Sequence, residues 1–229
     1  RRWIQLMFDS FLLQQGATSM LDARDAMLAA NRMRFGGADR AVMWKAFAQR
    51  GMGVDWPTAK ELIERTMRAA KAHPMKPRVA CGAGTDHKTL VELDSEEAIV
   101  AAYQTQMEAI EAVGGQLILM ATRALPAIGA TPDSYARVYR RLIDQAAEPV
   151  ILHWLGDMFD PALTGYWGSN DVAAATDAVL DIIAANPRKI DGIKISLLDQ
   201  AHEEAFRKRL PDGVRLCTLC ATRSDTAPL

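Results

Sequence analysis

Cysteine is scarce in this 229-residue chain, which contains only Cys81, Cys217 and Cys220. Three thiols cannot make the disulfide framework of a small secreted domain. Cys217-Thr218-Leu219-Cys220 has CxxC spacing, but no second pair is present to complete a zinc site. The cysteines are expected to be unpaired thiols in a reducing compartment, which makes the cytoplasm the expected location. An excess of one charge is also lacking, since 27 basic and 28 acidic side chains leave a net charge of −1. No basic stripe suits nucleic acid, and no polybasic segment or long apolar run suits a membrane. Arg1-Arg2-Trp3-Ile4 resembles a signal-peptide opening in charge only. Asp9, Gln14 and Gln15 interrupt the apolar stretch, and no small-residue cleavage site follows. The chain starts without Met, as expected of a fragment or a processed product.

The texture of the chain changes near residue 54. Before it, Trp3, Ile4, Met7, Phe8, Phe11 and Leu12 mark one helical stripe. Leu21 to Phe35 reads as a second helix stopped by Gly36-Gly37, and Val42, Met43, Trp44 and Phe47 give a third apolar face ending at Gly51. Such large side chains require a partner surface. After residue 54, helices and short apolar strands alternate. Asp55 is placed to cap a helix with Pro57 in its first turn, and Asp94 with Glu97 to open the next as a capping box. Thr131-Pro132 opens another helix, and one from about Asn170 stops at Asn186-Pro187. Strands are expected near 78–82, 116–121, 149–154, 189–196 and 213–217.

Short apolar strands without alternation, separated by amphipathic helices, predict a parallel sheet covered on both faces. A closed (β/α) barrel needs eight strands and only five are legible. The expected fold class is therefore α/β: an incomplete (β/α) TIM-type barrel preceded by a short all-helical segment. The expected division is a helical segment over 1–53, a partial barrel over 54–218 and an irregular tail over 219–229.

Two family resemblances meet near residue 50. The stretch LDARDAMLAANRMRFGGADRAVMWKAFAQRGMG, within Trp3 to Gly53, resembles the C-terminal end of fungalysin-type extracellular metallopeptidases. Zinc chemistry in that family needs an HExxH helix, with two His one turn apart as ligands and Glu as base. His202-Glu203-Glu204-Ala205-Phe206 lacks the second His, so no catalytic residue carries over. From about Gln49 to Thr218 the chain is similar to an uncharacterised bacterial family within the dihydrodipicolinate synthase and N-acetylneuraminate lyase superfamily. The blocks RGMGVDWPTAKELI, ACGAGTDH, GGQLILMATRAL, EPVILHWLGDMFDPALTGYWG and DGIKISLLD carry that likeness. Both families read AQRGMG, or nearly so, over Ala48 to Gly53, as expected of a chimera joined there. CTLCATRSDTAPL after Leu216 reads as a frameshifted ending.

In barrels of this type, catalytic groups lie at the C-terminal ends of strands. Lys194, in Gly192-Ile193-Lys194-Ile195-Ser196, either faces a protected interior or sits at a strand end reaching solvent or Asp199. A nucleophilic lysine must be unprotonated, which burial or a nearby cation favours. The resemblance implies that Lys194 is a Schiff-base lysine acting on a keto acid or sugar-derived ketone, in a homo-oligomeric parent family with no cofactor. His153 stands where many superfamily members carry a proton-relaying tyrosine, and either replaces it or is a hydrogen-bonded core residue. Gly84, Thr85 and Asp86 follow a strand and are placed to bind hydroxyls or a carboxylate, or form only a turn. Arg123 is placed to grip a carboxylate or phosphate, or to make a surface salt bridge. Asp157, Asp160, Tyr166 and Trp167 lie on a long aromatic loop that covers a site or shields a rim. Asp86, His87, His153 and Asp157 are an alternative divalent-metal set. Gly51-Met52-Gly53 falls where relatives carry a hydroxyl-bearing turn for the keto-acid carboxylate, so the substrate is expected to differ from pyruvate.

Overall fold

The computed structural model describes residues 2–14, 20–48 and 56–218. Within them the helices are α1 (Arg2–Leu12), α2 (Met20–Phe35), α3 (Arg40–Ala48), α4 (Trp56–Ala72), α5 (Glu96–Glu111), α6 (Ala124–Ala127), α7 (Pro132–Gln145), α8 (Val172–Ala185) and α9 (Gln200–Arg207). The strands are β1 (Ala80–Ala83), β2 (Gln116–Leu119), β3 (Val150–Leu155), β4 (Ile190–Ser196) and β5 (Arg215–Thr218).

Local chemistry sets the helix starts. Thr131 accepts a hydrogen bond from the Ser134 amide, and Pro132 occupies the first turn of α7. Tyr135, Val138, Tyr139, Leu142 and Ile143 then fall on one buried face. The cap of α5 is Ser95, which accepts from the Ala98 amide, rather than Asp94. The one-residue shift leaves Glu96 and Glu97 in the first turn, where carboxylates suit the positive end of the helix. Asp55, the expected cap of α4, lies outside the described residues.

All four strand pairings are parallel and follow chain order, β1-β2-β3-β4-β5. Between β3 and β4, Val150 pairs with Ile190 and Ile151 with Gly192, so Asp191 is the extra residue. Its carboxylate accepts from Gln116 Nε2 at 2.8 Å and pairs with Arg215. Gly192 is required where β4 meets β5, because a Cβ there would lie 2.6 Å from the Arg215 carbonyl oxygen.

One sheet face is fully covered. Leu117, Leu119, Val150, Leu152, Trp154, Ile193 and Ile195 are buried in one core with apolar residues of α5, α7 and α8. The other face is half-covered. Ile118, Ile151 and Lys194 there are of intermediate exposure, and Cys217 is exposed. The expected coverage of both faces is therefore not met, because all the crossover helices that build the main core stack against one side. Cys81 is half-buried, Cys217 is exposed and both are free thiols; Cys220 lies outside the described residues.

The first three helices share a separate small core of Leu6, Leu28, Ala30, Met43 and Trp44. The apolar stripe read from the sequence does not enter it: Trp3, Ile4, Met7, Phe8, Phe11 and Leu12 are all exposed, Phe8 by 62%. α1 instead turns fully buried Leu6 and Ser10 inward. Three short helices offer too little surface to cover both sides of α1. Polar contacts tie this unit to the sheet-bearing one. Arg40 donates to the His87 carbonyl oxygen at 3.2 Å and pairs with Glu92 at 3.2 Å.

This geometry separates solubility from stability. Phe8→Ser with Phe11→Ser should lower the aggregating fraction in sedimentation without changing hydrogen-exchange protection of residues 20–48. Leu6→Ala should weaken that protection by ~2–5 kcal/mol. Loss of protection in the Phe8/Phe11 variant would show that the exposed face is wrongly assigned.

Candidate functional site

Parallel strands deliver their C-terminal ends to one side of a sheet, and ligands of open α/β sheets bind in the crevice there. Four loops meet this edge, following β1, β2, β3 and β4.

The β1 and β2 ends are joined by a polar network. The Gly84 amide donates to Gln106 Oε1 at 2.8 Å, which orients the Gln106 amide so that Nε2 donates to His87 Nδ1 at 2.8 Å. His87 is held neutral: burial first, then Lys88 and Arg40, push it down to about 4. Buried Thr85 and Thr122 share a hydroxyl–hydroxyl bond of 2.6 Å. The Thr122 amide donates to the Tyr166 hydroxyl at 3.2 Å, which bonds Tyr139 at 2.7 Å. Burial raises these phenols, Tyr166 to about 12, so they act as neutral hydrogen-bonding posts at neutral pH. Gly84 and Thr85, expected to meet a ligand, thus already have protein partners for amide and hydroxyl. Tyr166 and Trp167 are buried in the main core and anchor the loop after β3 from beneath.

A charged cluster stands beside this network. Arg123 Nε lies 3.2 Å from Asp160 Oδ2, and Arg123 Nη1 lies 3.8 Å from Asp25 Oδ2 on α2. Asp25 also takes a 2.7 Å hydrogen bond from Arg24, whose guanidinium stacks 5.0 Å over Trp44. Asp86, on the loop after β1, is exposed. Desolvation raises its carboxyl, opposed by Arg24 and Arg123 and assisted by Asp160. Arg24 and Asp25 were not legible as site residues, since nothing in an Ala- and Met-rich helix marks which charged pair will face a sheet 100 residues away.

The β3–β4 ladder places His153 opposite Lys194. His153 is 3% exposed, its Nε2 is 3.5 Å from Ser196 Oγ, and its Nδ1 has no hydrogen-bond partner. Burial first and Lys194 second lower it to about 4, so the imidazole is neutral at pH 7. It lies inside β3 rather than at its end. Lys194 is half-buried. Asp199, a partner considered for it, instead caps α9 by accepting from the His202 amide at 3.0 Å. Asp157 is exposed and lines a separate cavity of about 90 Å³ with Trp154, Tyr166 and Leu197.

The alternative metal set is not assembled. Among the described residues no three His, Cys, Asp or Glu side chains converge as ligands, because Asp86 and His87 follow β1, whereas Asp157 sits beyond β3 in its own cavity. Gly51-Met52-Gly53 lies outside the described residues. Two bulky residues hold left-handed backbone in the loops after β3 and β4, Trp167 at φ 66° and Leu198 at φ 56°. Such strain concentrates at functional sites. No described helix is long and apolar enough to cross a membrane.

Comparison with known proteins divides the chain much as its two cores do. Residues 41–219, which carry all five described strands and the groups of this edge named above except Arg24 and Asp25, match the family described as "Protein of unknown function (DUF993)". The chain belongs to that family. Residues 1–56 match the fungalysin metallopeptidase (M36) family model, overlapping the first match over 41–56. Extracellular metalloproteinase 4 of Arthroderma gypseum is 37% identical over 51 residues, and that of Trichophyton tonsurans 39% over 51. Each alignment covers 22% of this chain and 8% of the peptidase, so the chain spans a small part of these relatives.

The neutral histidines give a signed pH dependence. His87 and His153 fall from an ordinary 6.5 to about 4 on folding. Between these values the unfolded chain binds protons that the folded chain refuses, so stability is full above about pH 6.5 and declines toward pH 4. Raised Asp86 and Glu203 work in the opposite sense. Urea midpoints from pH 7 to 4 should therefore fall less steeply in His153→Leu than in wild type. An identical slope would show that His153 titrates normally.

Proposed function

We propose that this chain is a catalytically silent composite of two enzyme-derived parts. Its strand-bearing part is a portion of a (β/α) barrel whose complete form is a lysine-dependent carbon–carbon lyase acting on a keto acid or sugar-derived ketone. The observation carrying this reading is the half-buried Lys194 on the open sheet face, level with the buried, neutral His153. Chain-order strands with helices on one side are consistent with a barrel wall.

In a closed barrel the Lys194 amine would add to the ketone carbon, and the carbinolamine oxygen would leave as water to give an iminium. Loss of the proton from the β-hydroxyl would cleave the adjacent carbon–carbon bond, releasing a carbonyl fragment and sending the bond's electron pair into the iminium to give an enamine. Protonation of the enamine carbon and hydrolysis of the resulting iminium by water would release the product ketone and the free Lys194 amine. His153, neutral at pH 7, suits proton acceptance in these steps better than donation.

The peptidase-like part supports the other half of the proposal. A fungalysin-type zinc does not fit here: the chain has no HExxH, and no ligand trio converges among the described residues. No hydrolytic step is therefore assigned to residues 1–56.

Borohydride reduction in the presence of a panel of ketones tests the lyase reading. A complete barrel carrying Lys194 in this setting should gain irreversible mass at that lysine, and this chain little. Lys194→Ala should abolish the label and reduce turnover by several orders of magnitude. Lys194→Arg should do the same, because guanidinium stays protonated. Undiminished turnover in Lys194→Ala would overturn the imine.

A further inference from the structure

We propose that the cavity beyond the end of β3 binds a small primary alkylammonium ion, with Asp157 taking the charged nitrogen and an apolar floor taking the alkyl group. The site is distinct from the one proposed for imine chemistry. Lys194 does not line the cavity, and Trp154, which does, belongs to the helix-covered face of the sheet.

The cavity, about 90 Å³, lies between the end of β3, the loop that follows it, the start of α8 and Leu197 after β4. Its floor is apolar, with Trp154, Leu163, Tyr166 and Ala175 each no more than 3% exposed. The Tyr166 hydroxyl is already engaged by the Thr122 amide and by Tyr139, so the ring is what it offers here. Two glycines shape the walls. Gly156 lets the loops after β3 and β4 meet, since a Cβ there would lie 3.1 Å from Leu197 Cδ2 and 3.2 Å from the Ser196 carbonyl oxygen. Gly165, left-handed at φ 77°, lies so close to Asn170 that an added Cβ would come 2.9 Å from its Oδ1.

Charge decides the class of ligand. Among the described residues that line the cavity, Asp157 alone carries a charge. It is exposed, and its carboxylate has no hydrogen-bond or ion-pair partner among the described residues. The Asn170 side-chain amide is likewise unengaged and adds a carbonyl acceptor. The start of α8 would by itself favour an anion. That end is already met by Asp171, whose carboxylate accepts from the Ala173 amide at 2.9 Å. The charge left unanswered is therefore the negative one of Asp157. A hydrated inorganic cation gains nothing from the floor, whereas an alkylammonium buries its carbons there, beside aromatic rings that accept a neighbouring positive charge. Size sets the alkyl group: an apolar cavity of about 150 Å³ takes benzene, so one of about 90 Å³ admits roughly four heavy atoms.

Isopropylammonium has that size and is the probe. In an NMR titration of the full chain it should shift the amides of residues 154–157, 163–170 and 197 saturably, with a dissociation constant on the order of 1–10 mM. Isopropanol and acetate match it in heavy atoms but lack the positive charge, and should bind at least about tenfold more weakly. Asp157→Asn, a nearly isosteric change at an exposed position, should weaken binding about tenfold with the fold intact. Ala175→Val puts two methyl groups into the cavity and should abolish binding while Asp157 stays in place. Isopropanol or acetate binding as well as isopropylammonium, unchanged affinity in either variant, or the absence of a saturable shift at these residues would each overturn the proposal. No arm of the experiment uses a ketone, so its outcome is separate from borohydride trapping at Lys194.

Discussion

The pairing of β3 with β4 is the constraint on which most of this molecule depends. Six residues of β3 pair in parallel with β4, and both strands send alternate side chains into the one large core. Val150, Leu152, Trp154, Ile193 and Ile195 go under the helices, and strict alternation then forces His153 and Lys194 together onto the opposite face. Neither residue has freedom to leave the other without turning an apolar neighbour outward. The adjacency of an amine and a neutral imidazole is therefore a by-product of core formation, as firm as the core itself.

The rest of the chain is held less firmly. The first three helices pack on themselves, and polar contacts link them to the sheet-bearing part, among them Arg40 with Glu92 and the His87 carbonyl, and Asp25 with Arg123. Links of this kind contribute little compared with a shared apolar core. Their direction matters more than their strength, because they bring α2 to the end of the sheet where the polar groups gather. A segment similar to a fungal peptidase thereby brings two charged residues, Arg24 and Asp25, beside Arg123 of the part matched by another family.

The strands were legible because buried parallel strands are short apolar runs between amphipathic helices, and the strand expected near 189–196 is Ile190–Ser196. Lys194 and His153 were legible as a pair only through resemblance, since apolar runs do not reveal which strands will be neighbours. The α1 stripe misled for a physical reason. Periodicity shows that one face is apolar, but not that anything in the same chain covers it. Short polar links such as Thr85 to Thr122 and Gln106 to His87 were invisible because they depend on loop geometry after the strands end. The shift of the α5 cap from Asp94 to Ser95 shows how adjacent cap-forming residues leave a helix start ambiguous by one position.

The central claim is that Lys194 and His153 are electrostatic neighbours on the open face. The most direct measurement is the His153 imidazole titration by NMR, in wild type and in Lys194→Met. The account places the wild-type midpoint at about 4 and requires it to rise when the lysine charge is removed, since Lys194 is one of the two causes of its depression. A midpoint near 6.5 in wild type, or one unchanged by Lys194→Met, would contradict the arrangement.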